Sequence, residues 1–160
     1  MTDIWPRSKR SEVMSRIRGT NTLPEMKIRK VLTAAGLRYR IHPPGVPGKP
    51  DVAFLRSKLA VFVHGCFWHG CPDHYSAPKS NAIFWRRKLE KNRYRDAAVR
   101  DQLFAEGWVV LQFWEHEVEE DPILCATEIA STLDKLNADF SGSRVRWIRR
   151  GSAERHSRSE

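Results

Sequence analysis

Long apolar runs are missing from this chain. No stretch approaches the roughly 18 uninterrupted apolar residues of a membrane-spanning helix, so no span is expected. The first ten residues hold Asp3, Arg7, Lys9 and Arg10 and no apolar core, so no secretory signal is expected there. Cysteine is scarce: three residues, an odd number, with Cys66 and Cys71 close together. That argues against a disulfide framework and for a reducing, cytoplasmic setting. Acid is short relative to base, 19 Asp and Glu against 28 Lys and Arg, for a formal net charge of +9.

What is present excludes disorder. Six Trp and seven Phe are more apolar surface than a solvated chain leaves in water. The 160 residues suffice for one domain with one full core. That domain is expected over residues 1–138, followed at 139–160 by a basic, flexible tail in which Trp147 and Ile148 could dock. The charge is segregated: residues 1–40 hold ten basic and three acidic residues, residues 86–101 seven and three, and residues 106–139 one and nine. Basic blocks set apart from an acidic one suit a face that binds a polyanion, with nucleic acid the natural partner, or else a solvated basic surface.

The pattern predicts a short helix over Ser11–Arg18, closed by Gly19, and a second from Thr22. There Thr22-x-x-Glu25 matches a capping box and Pro24 sits in the first turn, where proline is tolerated. Ile28, Val31, Leu32 and Ala35 form its apolar stripe, and Gly36 ends it. Four Pro and two Gly between His42 and Pro50 make a loop. Asp51–Leu55 and Leu59–Val63 read as a β-hairpin, and Gly65–Lys79 as an irregular loop. A long helix is expected over Asn81–Glu106, a buried strand over Trp108–Trp114, and a last helix after Asp121-Pro122. The stripe of that helix is Leu124, Ile129, Leu133 and Leu136, flanked by Ala126 and Ala130. The sum is a mixed α/β domain with a small sheet between helices.

His64-Gly-Cys66-Phe-Trp-His69-Gly-Cys71-Pro-Asp-His74 packs five soft ligands into eleven residues. Zn²⁺ takes thiolate and imidazole in a tetrahedral shell, and such an ion would order an otherwise irregular loop. Cys66 and Cys71 are the first choices, His74 is preferred to His69, and His116 is the best distant fourth ligand. Cys125 lies on an apolar stripe and reads as core.

Asp51 follows a Gly/Pro loop at the start of the hairpin. It reads either as a turn residue or as a Mg²⁺ ligand, although the return strand Leu59–Val63 supplies no second acid. Glu25 is already accounted for by the capping box. His64 and His69 follow the return strand, at the same end as Asp51, and suit either proton transfer or zinc ligation. Asp96 sits in the basic helix, where an ion pair with its neighbours explains it. Phe67-Trp68 and Phe84-Trp85 either stack on or wedge between bases, or pack against the metal loop.

Together these residues resemble the very short patch repair (Vsr) DNA mismatch endonucleases. The likeness runs over about residues 10–135. It includes Met14-Ser-Arg-Ile-Arg-Gly-Thr-Asn-Thr-x-Pro-Glu25, Leu37-Arg-Tyr-Arg, Pro47-Gly-Lys-Pro-Asp51 and Val63-His-Gly-Cys-Phe-Trp-His-Gly-Cys-Pro72. It continues through Phe84-Trp85, Lys91-Asn92-x-x-Arg95-Asp96 and Gly107-Trp108-x-Val-Leu-x-x-Trp114-Glu115. The resemblance implies a restriction-endonuclease-like fold with a structural zinc. It implies Mg²⁺-dependent nicking 5′ of the T in a T:G mismatch left by 5-methylcytosine deamination.

By the same likeness, Asp51 and the backbone carbonyl of Val63 would bind Mg²⁺, and His69 would be general base or acid, oriented by Asp96. Glu25 and His64 would complete the catalytic set. Phe67, Trp68 and Trp85 would intercalate, and Cys66, Cys71, His74 and His116 would hold Zn²⁺. The N-terminal region, residues 1–20, would clasp DNA phosphates. A monomer suffices for one asymmetric mismatch, and mismatch-repair proteins are candidate partners. Two alternatives stand beside this one: a zinc-stabilised DNA-binding module without catalysis, and a nuclease of the same fold with another DNA substrate.

Overall fold

The computed structural model describes residues 19–138. The expected helix at Ser11–Arg18, nearly all of the N-terminal clasping region and the tail at 139–160 lie outside the described residues.

The first helix, α1 (Leu23–Ala34), carries Pro24 in its opening turn. Ile28 and Leu32 are fully buried, whereas Ala35, expected on the same stripe, is exposed as the C-cap. Gly36 follows with φ +74°, a left-handed turn that glycine adopts without strain. The capping box is not formed. The Thr22 hydroxyl donates to Glu25 Oε1 at 2.9 Å, and Glu25 Oε2 accepts from the Asn21 backbone at 2.8 Å. Glu25 is 3 % exposed, drawn inward by a buried partner that a solvent-facing cap would lack.

The predicted hairpin is β1 (Val52–Phe54) and β2 (Leu59–His64), antiparallel, with Val52 opposite Val61. The long helix α3 (Ala82–Ala105) then carries the chain over to β3 (Val109–Trp114), which pairs parallel to β2 with His64 opposite Trp114. A parallel pair needs such a crossover, and the near-continuous apolar run of β3 suits a strand covered on both faces. The sheet order is β1-β2-β3.

Alternation along the strands divides the core in two. Val52, Phe54, Leu59, Val61, Val109, Leu111 and Phe113 join α1 and α5 (Pro122–Ala138) through Ile28, Leu32, Cys125, Ile129 and Leu133. Ala53, Ala60 and Val110 face α3 through Leu103. The first cluster is the larger, and each fully buried aliphatic side chain in it contributes about 1.5–3 kcal/mol.

Three local expectations need correction. Gly65–Lys79 contains one helical turn, α2 (Cys66–His69), closed by Gly70 at φ +69°. That left-handed φ is what glycine adopts without strain, and the tip of Arg93 on α3 packs into the space where a Cβ would stand, 2.6 Å away. A short acidic helix, α4 (Glu115–Glu120), follows β3. It was not anticipated, because six residues give too little periodicity to read. Glu117 Oε2 caps its start by accepting from the Trp114 backbone at 2.8 Å. On α5, Leu124 is exposed and Cys125 is buried in its place. Asp121 Oδ1 caps the Leu124 N–H at 2.9 Å, and the helix enters in a phase that turns Cys125 and Ile129 inward. No helix among the described residues is long and apolar enough to cross a membrane.

Candidate active site and metal centre

The C-terminal end of β2 gathers the chemistry. Asp51, just ahead of β1, faces Val63 across the hairpin, and the Val63 N–H donates to its Oδ2 at 2.7 Å. The Val63 side chain takes no part in this contact. Among the described residues Asp51 Oδ1 accepts no hydrogen bond. Burial, with Glu25 beside it, raises the Asp51 carboxyl to about 6; the Val63 N–H, His42 and Arg29 pull the other way. Glu25, His42 and Asp51 form one cluster, their ligand atoms within 4.8 Å of one another. Arg29 Nη2 lies 2.9 Å from Glu25 Oε2 and 3.4 Å from the Asp51 carbonyl.

One residue further along β2, His64 stacks on His69, ring centroids 4.0 Å apart and planes 15° apart. Burial and the neighbouring His69 push the His64 imidazole down to about 3. His69 Nδ1 lies 2.5 Å from Asp96 Oδ2 on α3. A carboxylate accepts, so Nδ1 carries a proton and Nε2 is the nitrogen left for proton transfer. Burial works to raise the Asp96 carboxyl, but the hydrogen bond and charge of His69 outweigh it and hold it below the usual range. The expected helix ion pair is present too, with Arg95 at 3.8 Å from Asp96 Oδ1, as a longer contact.

Cys66, Cys71, His74 and His116 form a second centre, all four ligand atoms within 4.8 Å. Cys66 Sγ is 3.2 Å from His116 Nδ1; Cys71 Sγ is 3.7 Å from the same atom and 3.8 Å from His74 Nδ1. In a tetrahedral shell with Zn–S and Zn–N bonds of ordinary length, sulfur and nitrogen stand about 3.6 Å apart, so the donor set fits zinc. Burial pushes the Cys66 thiol up to about 12, with Cys71 adding to the effect and His116 opposing it. His69 belongs to the Asp96 pair and not to this group.

α3 clamps the loop that carries these ligands. Asn92 Nδ2 donates to the Trp68 carbonyl at 2.8 Å, Arg93 Nη2 to the Gly70 carbonyl at 3.0 Å, and Glu115 accepts from the Cys66 backbone at 2.9 Å. Phe67, Trp68 and Trp85 pack on one another with centroids 5.2–6.0 Å apart and remain half-buried, so packing and an open edge coexist. Phe84 stands beside them, 58 % exposed. Arg86, Arg87, Lys88, Lys91, Arg93 and Arg95 are exposed along the same helix.

All the residues proposed from the sequence thus fall into two carboxylate–histidine groups, one thiol–imidazole group and one aromatic group. Sequence reasoning missed Arg29, His42, Asn92 and Glu115. The i,i+4 spacing of Glu25 and Arg29 was a readable signal. His42 had none, because only folding of the 42–50 loop brings it to Glu25.

The family model for the DNA mismatch endonuclease Vsr matches residues 2–74. The type II nicking enzyme V.NaeI of Lentzea aerocolonigenes is 40 % identical over 139 residues, 84 % of this chain and 82 % of its own. V.XorIIP of Xanthomonas oryzae is 40 % identical over 121 residues, 75 % and 89 % of the two chains. The DNA mismatch endonuclease Vsr of Escherichia coli is 34 % identical over 116 residues, 72 % and 74 %. The family-model match takes in Glu25, Asp51 and the metal loop to His74, and the chain belongs to the Vsr family of DNA mismatch endonucleases.

Proposed function

We propose that this protein is a DNA endonuclease that nicks one strand 5′ of the T in a T:G mismatch, the product of 5-methylcytosine deamination, by Mg²⁺-dependent hydrolysis. The observation that carries the reading is the juxtaposition at the end of β2. Asp51 is paired to the Val63 backbone, and His64 in the next position stacks on the Asp96-bound His69. A binding module has no need of a buried acid beside an oriented histidine.

Asp51 and the Val63 carbonyl would hold Mg²⁺; the free Oδ1 and a carboxyl costly to ionise in its burial suit a cation there. Bound there, Mg²⁺ supplies charge neutralisation at the phosphodiester and a more acidic water. Asp96 fixes the His69 tautomer, and His69 Nε2 takes or returns the proton as the P–O bond to water forms and the bond to the leaving oxygen breaks. Glu25 and His64 complete the site through water and phosphate contacts. Zn²⁺ on Cys66, Cys71, His74 and His116 holds the loop, within a fold of the restriction-endonuclease type.

Phe67, Trp68 and Trp85 wedge beside the mispair, where unstacking costs less than in paired DNA. The basic face of α3 holds phosphates. The protein acts as a monomer in the cytoplasm.

The test is a labelled duplex with one T:G pair in several flanking contexts, a T:A control, and strand-resolved gels. A single Mg²⁺-dependent cut 5′ of the mispaired T is expected. Equal cleavage of T:A would discard mismatch specificity, and tight binding without cleavage would leave a zinc-stabilised binding module.

A further inference from the structure

Arg29 is the least expected occupant of the site. It is buried, 7 % exposed at its side chain, against a Glu25 that is 4 % exposed. Its Nε is buried with no hydrogen-bond partner among the described residues. A buried ion pair with an unsatisfied donor is a poor source of stability, so its geometry asks for another explanation.

That geometry is closed on every other side. Nη1 donates to Asn21 Oδ1 at 2.6 Å, and the Asn21 N–H in turn donates to Glu25 Oε2 at 2.8 Å. Nη2 reaches Glu25 Oε2, the Asp51 carbonyl at 3.4 Å and His42 Nε2 at 3.3 Å. His42 Nδ1 lies 3.2 Å from the Lys49 carbonyl, which can only accept. Nδ1 therefore carries a proton, and Nε2 is the nitrogen that faces the guanidinium. The donors Glu25, His42 and Asp51 form a set that could take a divalent ion. Arg29 Nη2 sits among two of those donors and the Asp51 backbone.

We propose that Arg29 is a positioning residue: its guanidinium is the resident cation of the Glu25–His42–Asp51 cluster. It fixes the Glu25 carboxylate and the backbone of Asp51 and bars a divalent ion from lodging between Glu25 and His42. Its effect on catalysis passes through Glu25 and Asp51. Only this catalytic arm rests on the nuclease reading.

The experiment titrates Mn²⁺ by electron paramagnetic resonance into the zinc-loaded full chain without DNA. Arg29→Met removes the charge at similar length. It should bind Mn²⁺ about tenfold or more tightly than the parent, since a unit charge at hydrogen-bond distance no longer repels the ion. Adding Glu25→Gln should erase that gain. Arg29→Lys keeps the charge but cannot span Asn21 and Glu25 together. It should bind Mn²⁺ as the parent does, while kcat for nicking falls about 10–100-fold with KM for DNA unchanged. Folding of each variant is read from its circular dichroism. Folded Arg29→Met with unchanged or weaker Mn²⁺ affinity would overturn the proposal, as would Arg29→Lys nicking at the parental rate. If Arg29→Met does not fold, Arg29→Lys decides. If the parent nicks no DNA, the nuclease reading fails while the Mn²⁺ titration still decides the role of Arg29.

Discussion

The carboxylate cluster and the thiol–imidazole cluster stand at the same end of the sheet, and their internal hydrogen bonding differs sharply. Around Glu25, every charge has a protein partner: Asn21, Thr22 and Arg29 satisfy the carboxylate, and the Val63 backbone holds Asp51. Around Cys66 and Cys71, four soft donors converge through thiol–imidazole contacts of 3.2–3.8 Å and a tilted His74–His116 ring pair. Burial pushes the Cys66 thiol up to about 12, and among the described residues no Lys or Arg stands among the four donors as Arg29 stands among Glu25, His42 and Asp51. The first cluster is preorganised by the chain itself; the second, on the proposed reading, would draw its cohesion from Zn²⁺. A site for chemistry needs rigid geometry before its cofactor arrives, whereas a loop staple can be assembled by the ion it holds.

Zinc removal should produce the largest effect. Structural zinc supplies about 10–16 kcal/mol of apparent binding energy in small zinc peptides. Chelation should therefore lower the thermal midpoint steeply and alter the fluorescence of Trp68 and Trp85, read by differential scanning and emission spectra. An unchanged midpoint after verified metal loss would remove the contrast between the clusters.

Asp96→Asn comes next. An amide no longer fixes the His69 tautomer, so kcat for nicking should fall about 10²–10⁴-fold with the fold intact by circular dichroism. Full activity would reduce Asp96 to a helix ion pair.

The raised Asp51 carboxyl sets a pH dependence with a definite sign. In the unfolded chain it ionises near 3.8, in the folded one near 6. The folded state keeps the proton longer, so the Asp51 contribution to stability is most favourable at low pH and is lost as pH rises through 6. The swing is about 3 kcal/mol. Urea titrations should show Asp51→Asn gaining on the parent between pH 4 and 7, with Mg²⁺ narrowing the gap; a constant difference across that range would contradict the burial argument. The smallest effect is expected from Trp85→Ala. Losing one stacking surface costs about 1–3 kcal/mol, so mismatch affinity by fluorescence anisotropy should weaken about tenfold, with matched DNA less affected.

The strands were legible as short apolar runs bounded by turn residues, and α3 as the long stretch between the metal loop and the glycine stop Gly107, which takes φ +78°. The zinc-type ligands were legible because three of them are crowded into one loop. Asp51 was ambiguous alone, since no acid faces it from β2; only the resemblance raised it above a turn residue. Arg29 and His42 escaped because their roles arise from tertiary closure. The 42–50 loop returns through a His42 N–H to Pro50 carbonyl bond of 3.1 Å, a contact no local pattern encodes. α4 escaped because six residues cannot show a period, and the capping box at Thr22 misled because Glu25 had a buried partner to serve instead.

The most direct measurement compares the parent and Asp51→Ala on one T:G duplex, reading strand-resolved nicking and DNA affinity in the same samples. The account predicts that Asp51→Ala binds the mismatch within a few-fold of the parent and loses nicking by about three orders of magnitude or more. Nicking retained at the parental rate by a folded Asp51→Ala protein would contradict it.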